Sequence, residues 1–217
     1  RQFRDAVGMD GRVEYPVVDV GRFSPVRRSS RPGPMAIGRH SRDDGLKFHP
    51  NDPALFRRLA GLGHEVRIMG GTCLAAPLER NGPEVGITLL PAAPNGVVGF
   101  LQELDCFIYR THPHWYETGG TVILEAMAMS LPVVLFGERV GMVEVIEHGK
   151  NGFIVQTEEE ALAWIAQLTL DPELRRTTGE AARATVVKVM EAQTDAILDF
   201  YIHGGKSGAD GGAEYRN

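Results

Sequence analysis

The sequence predicts an α/β domain built on a doubly wound, Rossmann-like parallel sheet, and three observations point there. From about residue 35 onward short β-type runs alternate with helix-type patterns, the arrangement that builds a parallel sheet covered by helices on both faces. With 43% apolar and 24% charged residues the composition is that of an ordinary globular chain, and 217 residues suffice for one full-sized domain. The longest apolar runs, 121–129 and 131–136, are interrupted by Glu125 and Pro132 and fall short of a bilayer's thickness, so they read as buried core.

Six strands are expected, at 35–38 (MAIG), 65–69 (EVRIM), 85–90 (VGITLL), 106–109 (CFIY), 133–136 (VVLF) and 153–155 (FIV). Helices are expected between them at 52–62, 97–104, 120–129, 142–148 and 158–168, the last with acidic residues in its first turn, where they suit the helix dipole. Beyond Pro172 a Thr-Thr-Gly interruption at 177–179 suggests two separate helices, covering 181–190 and 192–200. The domain then spans 35–203. Residues 1–34, which include the Pro, Ser and Arg-rich stretch 22–34, read as an extended connection, and 204–217 as a Gly-rich tail. The chain starts at Arg1, carries no recognisable leader and reads as an excerpt of a longer protein.

A net charge of −5 argues against a nucleic-acid partner, which needs a dominant positive field, so any anionic ligand must be held locally. Cys73 and Cys106 stand far apart, and Cys106 lies inside an apolar run. Two buried thiols in a reducing, cytoplasmic compartment are the expectation.

The segment 109–136, YRTHPHWYETGGTVILEAMAMSLPVVLF, has the layout of a binding site. A strand ends near Tyr109, a loop carries Glu117, and Gly119 and Gly120 open a helix that contains Glu125. In open α/β sheets ligands gather where strand carboxyl ends meet helix N-termini. The first amides of a helix have no internal partner, so a phosphate placed at Gly119, Gly120 and Thr121 would be stabilised. Glu125 leans back toward the helix mouth and suits a ribose diol, while Glu117 faces the same mouth and suits sugar hydroxyls. Two carboxylates repel a diphosphate, which calls for cations, and Arg39 and Lys47 flank the loop after the first strand, with Arg42 in reserve. His112, His114 and Trp115 lack the spacing and third ligand of a zinc site and read as contacts to a ligand or to another domain.

With these residues assembled, the chain resembles the C-terminal domain of the retaining GT-B glycosyltransferases of family 4 over about residues 15–185. Glu117 and Glu125, separated by seven residues, look like that family's paired glutamates, and EAMAMSLPVV is similar to its usual continuation, with Ser130 in place of a glycine and Thr118 where glycine is frequent. Gly38-Arg39 and Lys47 look like its diphosphate-binding pair, although the loop SRDDGL between them is long, and VIEHGKNGFIV resembles the segment closing its donor pocket. The stretch PVVDVGRFSP resembles its interdomain linker, which makes 1–34 a linker and remnant of an absent N-terminal domain.

The resemblance implies transfer of a sugar from a nucleotide-diphosphate sugar to a hydroxyl with retained configuration, without a cofactor or a catalytic metal. Glu117, Arg39 and Lys47 are then the catalytic residues: Arg39 and Lys47, with the amides of Gly119 to Thr121, stabilise the leaving group, and Glu117 orients the donor sugar. Glu125, Gly119, Gly120, Thr121, Gly38 and the Leu90 backbone bind the donor. The implied partners are the donor, a sugar or lipid-linked acceptor, and the missing domain, through which a cytoplasmic enzyme could rest on the inner membrane. A nucleotide-sugar epimerase half domain and a non-catalytic nucleotide-sugar-binding module are the alternatives.

Overall fold

A computed structural model describes residues 14–25, 32–80 and 85–203. The tail from 204 and parts of the N-terminal connection lie outside these residues. The strands are β1 (Ala36–His40), β2 (Glu65–Met69), β3 (Ile87–Leu90), β4 (Cys106–Tyr109), β5 (Val133–Phe136) and β6 (Phe153–Val155). The helices are α1 (Asp52–Gly61), α2 (Ala75–Glu79), α3 (Val97–Gln102), α4 (Thr121–Ala128), α5 (Glu158–Leu170) and α6 (Pro172–His203). All six strands pair in parallel in the order β3-β2-β1-β4-β5-β6. The predicted fold class is therefore the observed one.

Both faces of the sheet are covered, which explains why the strands read as nearly continuous apolar runs. Phe107, Tyr109, Val133 and Leu135 face one cluster, with Phe100 and Leu101 of α3, Ile123 and Met127 of α4, and Ala182, Val186 and Met190 of α6. Cys106, Ile108, Val134 and Phe136 alternate onto the other, with Leu55 and Leu59 of α1, Leu78 of α2 and Ile165 and Leu168 of α5. Each fully buried Val, Leu, Ile or Phe among them contributes about 2 kcal/mol, so register is strongly specified.

Three local expectations are corrected. Residues 177–179 do not split a helix: α6 runs unbroken from Pro172 to His203. Gly179 serves close packing instead, since a Cβ there would collide with the Ser130 carbonyl oxygen where α6 crosses the end of α4. The helix expected at 142–148 is only a 3-10 turn over Gly141–Glu144. There the buried Asn151 caps the Glu147 amide at 2.8 Å and donates to the Val145 carbonyl at 3.1 Å, replacing helical bonds with side-chain ones. Cys73 is exposed, and only Cys106 is buried.

Part of the N-terminal connection is docked on the domain rather than free. Val18 and Phe23 are buried in the α4/α6 cluster. Gln193 brackets the Tyr15 backbone with two hydrogen bonds of 2.7 Å, and Arg183 donates to the carbonyls of Val20, Phe23 and Ala128.

Candidate functional site

The strand order reverses between β1 and β4, and such a switch point opens a crevice at the carboxyl ends of the strands. β1 delivers Arg39 and His40 to it, β4 delivers Tyr109 and Arg110, and α4 points its N-terminus there. That helix starts without a side-chain cap, on Gly120 in the left-handed region at φ 53°. A side chain at 120 would be strained by that backbone and would also overlap Met142. Gly119 is half-buried and Thr121 exposed beside it.

Glu117 is the hub of the crevice. Its Oε2 accepts from Lys47 Nζ at 2.7 Å and from the Tyr109 hydroxyl at 3.1 Å, and its Oε1 accepts from the Gly120 amide at 3.3 Å. Burial raises the pKa of this carboxyl, but the Lys47 bond and charge, with the Gly120 amide and the Tyr109 hydroxyl, pull harder and leave it below the usual range. The Lys47 ammonium also sits 4.4 Å from the centre of the Trp115 ring, which fixes it from the far side. The loop's aromatic therefore holds a site cation, while His112 and His114 pack on one another with ring centres 5.1 Å apart. Glu125 comes to the same region from α4, with its Oε2 3.1 Å from His40 Nε2.

Three of the expected site residues have surroundings that the sequence did not reveal. Arg39 does not stand at the mouth: it is 1% exposed, donates to the Arg110 carbonyl at 2.5 Å and the Lys47 carbonyl at 2.9 Å, and is stacked between Phe48 and Tyr109. The aromatic stack and two carbonyls draw it into the floor, where it positions Lys47 through the backbone. Gly38 is a packing glycine within β1, since a Cβ would collide with the Arg67 carbonyl oxygen on β2. At Leu90, whose backbone was expected to bind the donor, the carbonyl accepts the Gly70 amide at 2.8 Å and the Gly71 amide at 3.2 Å. Arg42, the reserve cation, is exposed, and the acidic residues after it are engaged elsewhere: Asp43 accepts from Thr72 and Cys73, and Asp44 caps Leu46.

Sequence reasoning missed a buried ionic floor behind Arg39. Asp52, in the first turn of α1, takes Arg110 Nε at 2.8 Å and lies 3.9 Å from Arg39 Nη1, and Arg110 reaches on to Glu158 at 2.9 Å. Burial pushes the Asp52 carboxyl upward against the pull of Arg39 and Arg110. Placement of Arg110 directly after a strand end was the available signal. Next to this floor lies a pocket lined by His49, Arg110, Thr111, Pro113, Phe136, Glu138, Arg139 and Gln156. Arg139 joins it to the crevice, since its carbonyl accepts the Glu117 amide at 2.9 Å. Among the described residues no group of three or more His, Cys, Asp or Glu could hold a metal ion, and no helix is long and apolar enough to cross a membrane.

Comparison with known proteins gives this geometry a context. Residues 73–185 match the family described as Glycosyl transferases group 1, just over half of the 217 residues. The N-acetyl-alpha-D-glucosaminyl L-malate synthase of Bacillus anthracis is 38% identical over 80 residues, covering 36% of this chain and 20% of the relative. The structure of HepE from Anabaena in complex with UDP and glucose superposes with a TM-score of 0.65 at 20% identity, covering 84% of this chain and 55% of HepE. The C-terminal domain of a glycosyl transferase group 1 family protein from Francisella tularensis, LpcC, superposes with a TM-score of 0.62 at 19% identity, covering 79% of this chain and 97% of that domain. At such identities the structural likeness speaks for the fold. The aligned region spans only a fifth of the curated relative's length and about half of HepE.

Proposed function

The chain belongs to the glycosyl transferases group 1 family, and from that premise we propose that it is the donor-binding, C-terminal half of a retaining, family 4 GT-B enzyme. It moves a sugar from a nucleotide-diphosphate sugar to a hydroxyl acceptor held by the other domain. One observation carries the reading: Lys47, Glu117, Glu125 and the glycine-opened N-terminus of α4 meet at the carboxyl ends of β1 and β4. Each has a task a nucleotide sugar would set.

Lys47 and Glu117 neutralise one another in the crevice. An incoming diphosphate competes for the ammonium and lies against the α4 N-terminus, while the sugar hydroxyls replace Lys47 on Glu117 and the ribose diol meets Glu125. Negative charge grows on the departing diphosphate as the sugar leaves, and an ammonium and helix amides already aimed there lower the barrier without reorganising. Glu117, held by three donors, is a positioned acceptor for the sugar rather than a free base. Association of HepE with UDP and glucose supports a nucleotide-sugar ligand for this fold. The reaction needs no bound cofactor, and the cytoplasm, where nucleotide sugars are made, is the proposed location, with the other domain resting on the inner membrane.

Calorimetry of the chain with UDP, GDP and ADP, followed by a transfer assay on the chain joined to its acceptor domain, tests the proposal. Binding of one diphosphate and sugar transfer by the joined protein are expected. Loss of all nucleotide binding would remove the reading, and binding with no transfer would make the domain a sensor of the same ligand.

A further inference from the structure

We infer that His40 is a positioning residue for donor binding, holding Glu125 in the orientation that receives the ribose. The inference rests on the proposed function and adds a residue to it.

His40 closes β1 at the switch point, one residue beyond Arg39, so its side chain turns to the opposite face of the sheet. It is 5% exposed, held edge-on by Phe107 of β4 with ring centres 5.9 Å apart and by Phe100 of α3 at 6.5 Å. Its Nε2 is buried without a hydrogen bond of good geometry, yet lies 3.1 Å from Glu125 Oε2. Among the described residues Glu125 is the one charged side chain within ion-pair reach of this ring, and the elements packed on it otherwise present Phe100 and Phe107. Glu125 keeps 19% of its side chain open, which leaves the carboxylate accessible to a ligand.

A buried ring nitrogen this close to a carboxylate costs free energy unless it donates. With its proton on Nε2 the ring faces the Glu125 carboxylate as a donor and holds it where the ribose diol meets it. Loss of this donor weakens nucleotide binding by roughly three- to tenfold.

The test is calorimetry with whichever of UDP, GDP and ADP the chain binds and with its parent nucleoside. His40→Ala is expected to weaken both ligands by roughly three- to tenfold, and His40→Gln, which keeps a donor, to recover most of the loss. Because the effect is placed on the ribose, the nucleoside must show the same loss. Wild-type affinity in His40→Ala, no recovery in His40→Gln, or a loss confined to the diphosphate would each overturn the role of His40 while leaving nucleotide binding in place. Should His40→Ala fail to fold, His40→Leu, which fills the apolar surroundings without donating, takes its place. Absence of binding by the wild type to any nucleotide would instead strike the proposed function itself.

Discussion

The Lys47 ammonium and the Glu117 carboxylate, from loops 70 residues apart in sequence, meet at 2.7 Å with side chains only 11% and 17% exposed. Removing one partner leaves the other largely desolvated. Lys47→Met is accordingly expected to cost about 1–2 kcal/mol, less than a fully buried pair because water still reaches both groups. Lys47→Met combined with Glu117→Gln should recover part of that loss, and urea unfolding of the single and double variants measures it. A single variant as stable as the wild type would mean that the pair is an incidental surface contact.

The same pair sets a pH dependence of stability. Glu117 is held below its usual pKa in the folded chain, so it binds fewer protons folded than unfolded. Its contribution is fully present above the ordinary carboxylate value of about 4.3 and is lost as the pH falls through the lower folded value. Stability measured between about pH 6 and pH 3 should fall less steeply in Glu117→Gln than in the wild type. Equal slopes would contradict the assignment.

Ser130 follows the last turn of α4 with φ 55°, a left-handed conformation that costs a residue with a Cβ about 1–2 kcal/mol relative to glycine. The site is backed by Gly179 of α6, which approaches the Ser130 carbonyl. Ser130→Gly is expected to stabilise by about 1 kcal/mol, or roughly 3 °C in a thermal melt of a domain this size. An unchanged or lower Tm would show that Ser130 makes a compensating contact.

The fold was legible because its signals are local and periodic. The runs CFIY and VVLF are short, rich in β-branched and aromatic residues and bounded by polar or turn residues, as strands buried on both faces are, and β2, β4, β5 and β6 appear at their expected residues. The placement of Glu117 and Glu125 beside one helix mouth was legible because a loop carboxylate, paired glycines and a helical carboxylate leave a readable spacing. The packing around Arg39 and Gly38 was not legible for one reason: residue type does not reveal whether a group at a strand end faces the crevice or packs behind it. That depends on Phe48, Tyr109 and Arg67, which arrive from distant parts of the chain. The unbroken α6 was hidden similarly, since a helical glycine needed for close approach looks in sequence like a glycine that ends a helix.

Cys73 is exposed, yet burial of its sulfur and then the neighbouring Asp43 carboxylate push its thiol up to about 12. Little thiolate forms near neutral pH, and the thiolate is the nucleophile. Alkylation by iodoacetamide at about pH 7.5 should run about tenfold or more slower than for free cysteine, and Asp43→Asn should accelerate it. Cys106, fully buried and likewise pushed up to about 12, should react only on unfolding. Mass spectrometry of the labelled chain separates the two, and labelling of Cys73 at the free-cysteine rate would refute the argument.

Arg39 and Glu125 should part company when each is replaced. Arg39→Met removes a cation 3.9 Å from Asp52, whose side chain is 2% exposed, and leaves the Arg110 and Lys47 carbonyls without their donor. Loss of one cation from a buried ionic group costs about 3 kcal/mol or more, so the variant should be strongly destabilised before any binding effect is read. Glu125→Gln keeps shape and hydrogen-bonding capacity at a partly open position, and should stay within about 1 kcal/mol of wild-type stability while binding nucleotide more weakly. Urea unfolding of both, with calorimetry on whichever folds, distinguishes them. A stable Arg39→Met chain with weakened nucleotide binding would return the arginine from the floor of the crevice to its mouth, and would require the guanidinium to leave the Phe48 and Tyr109 stack when ligand arrives.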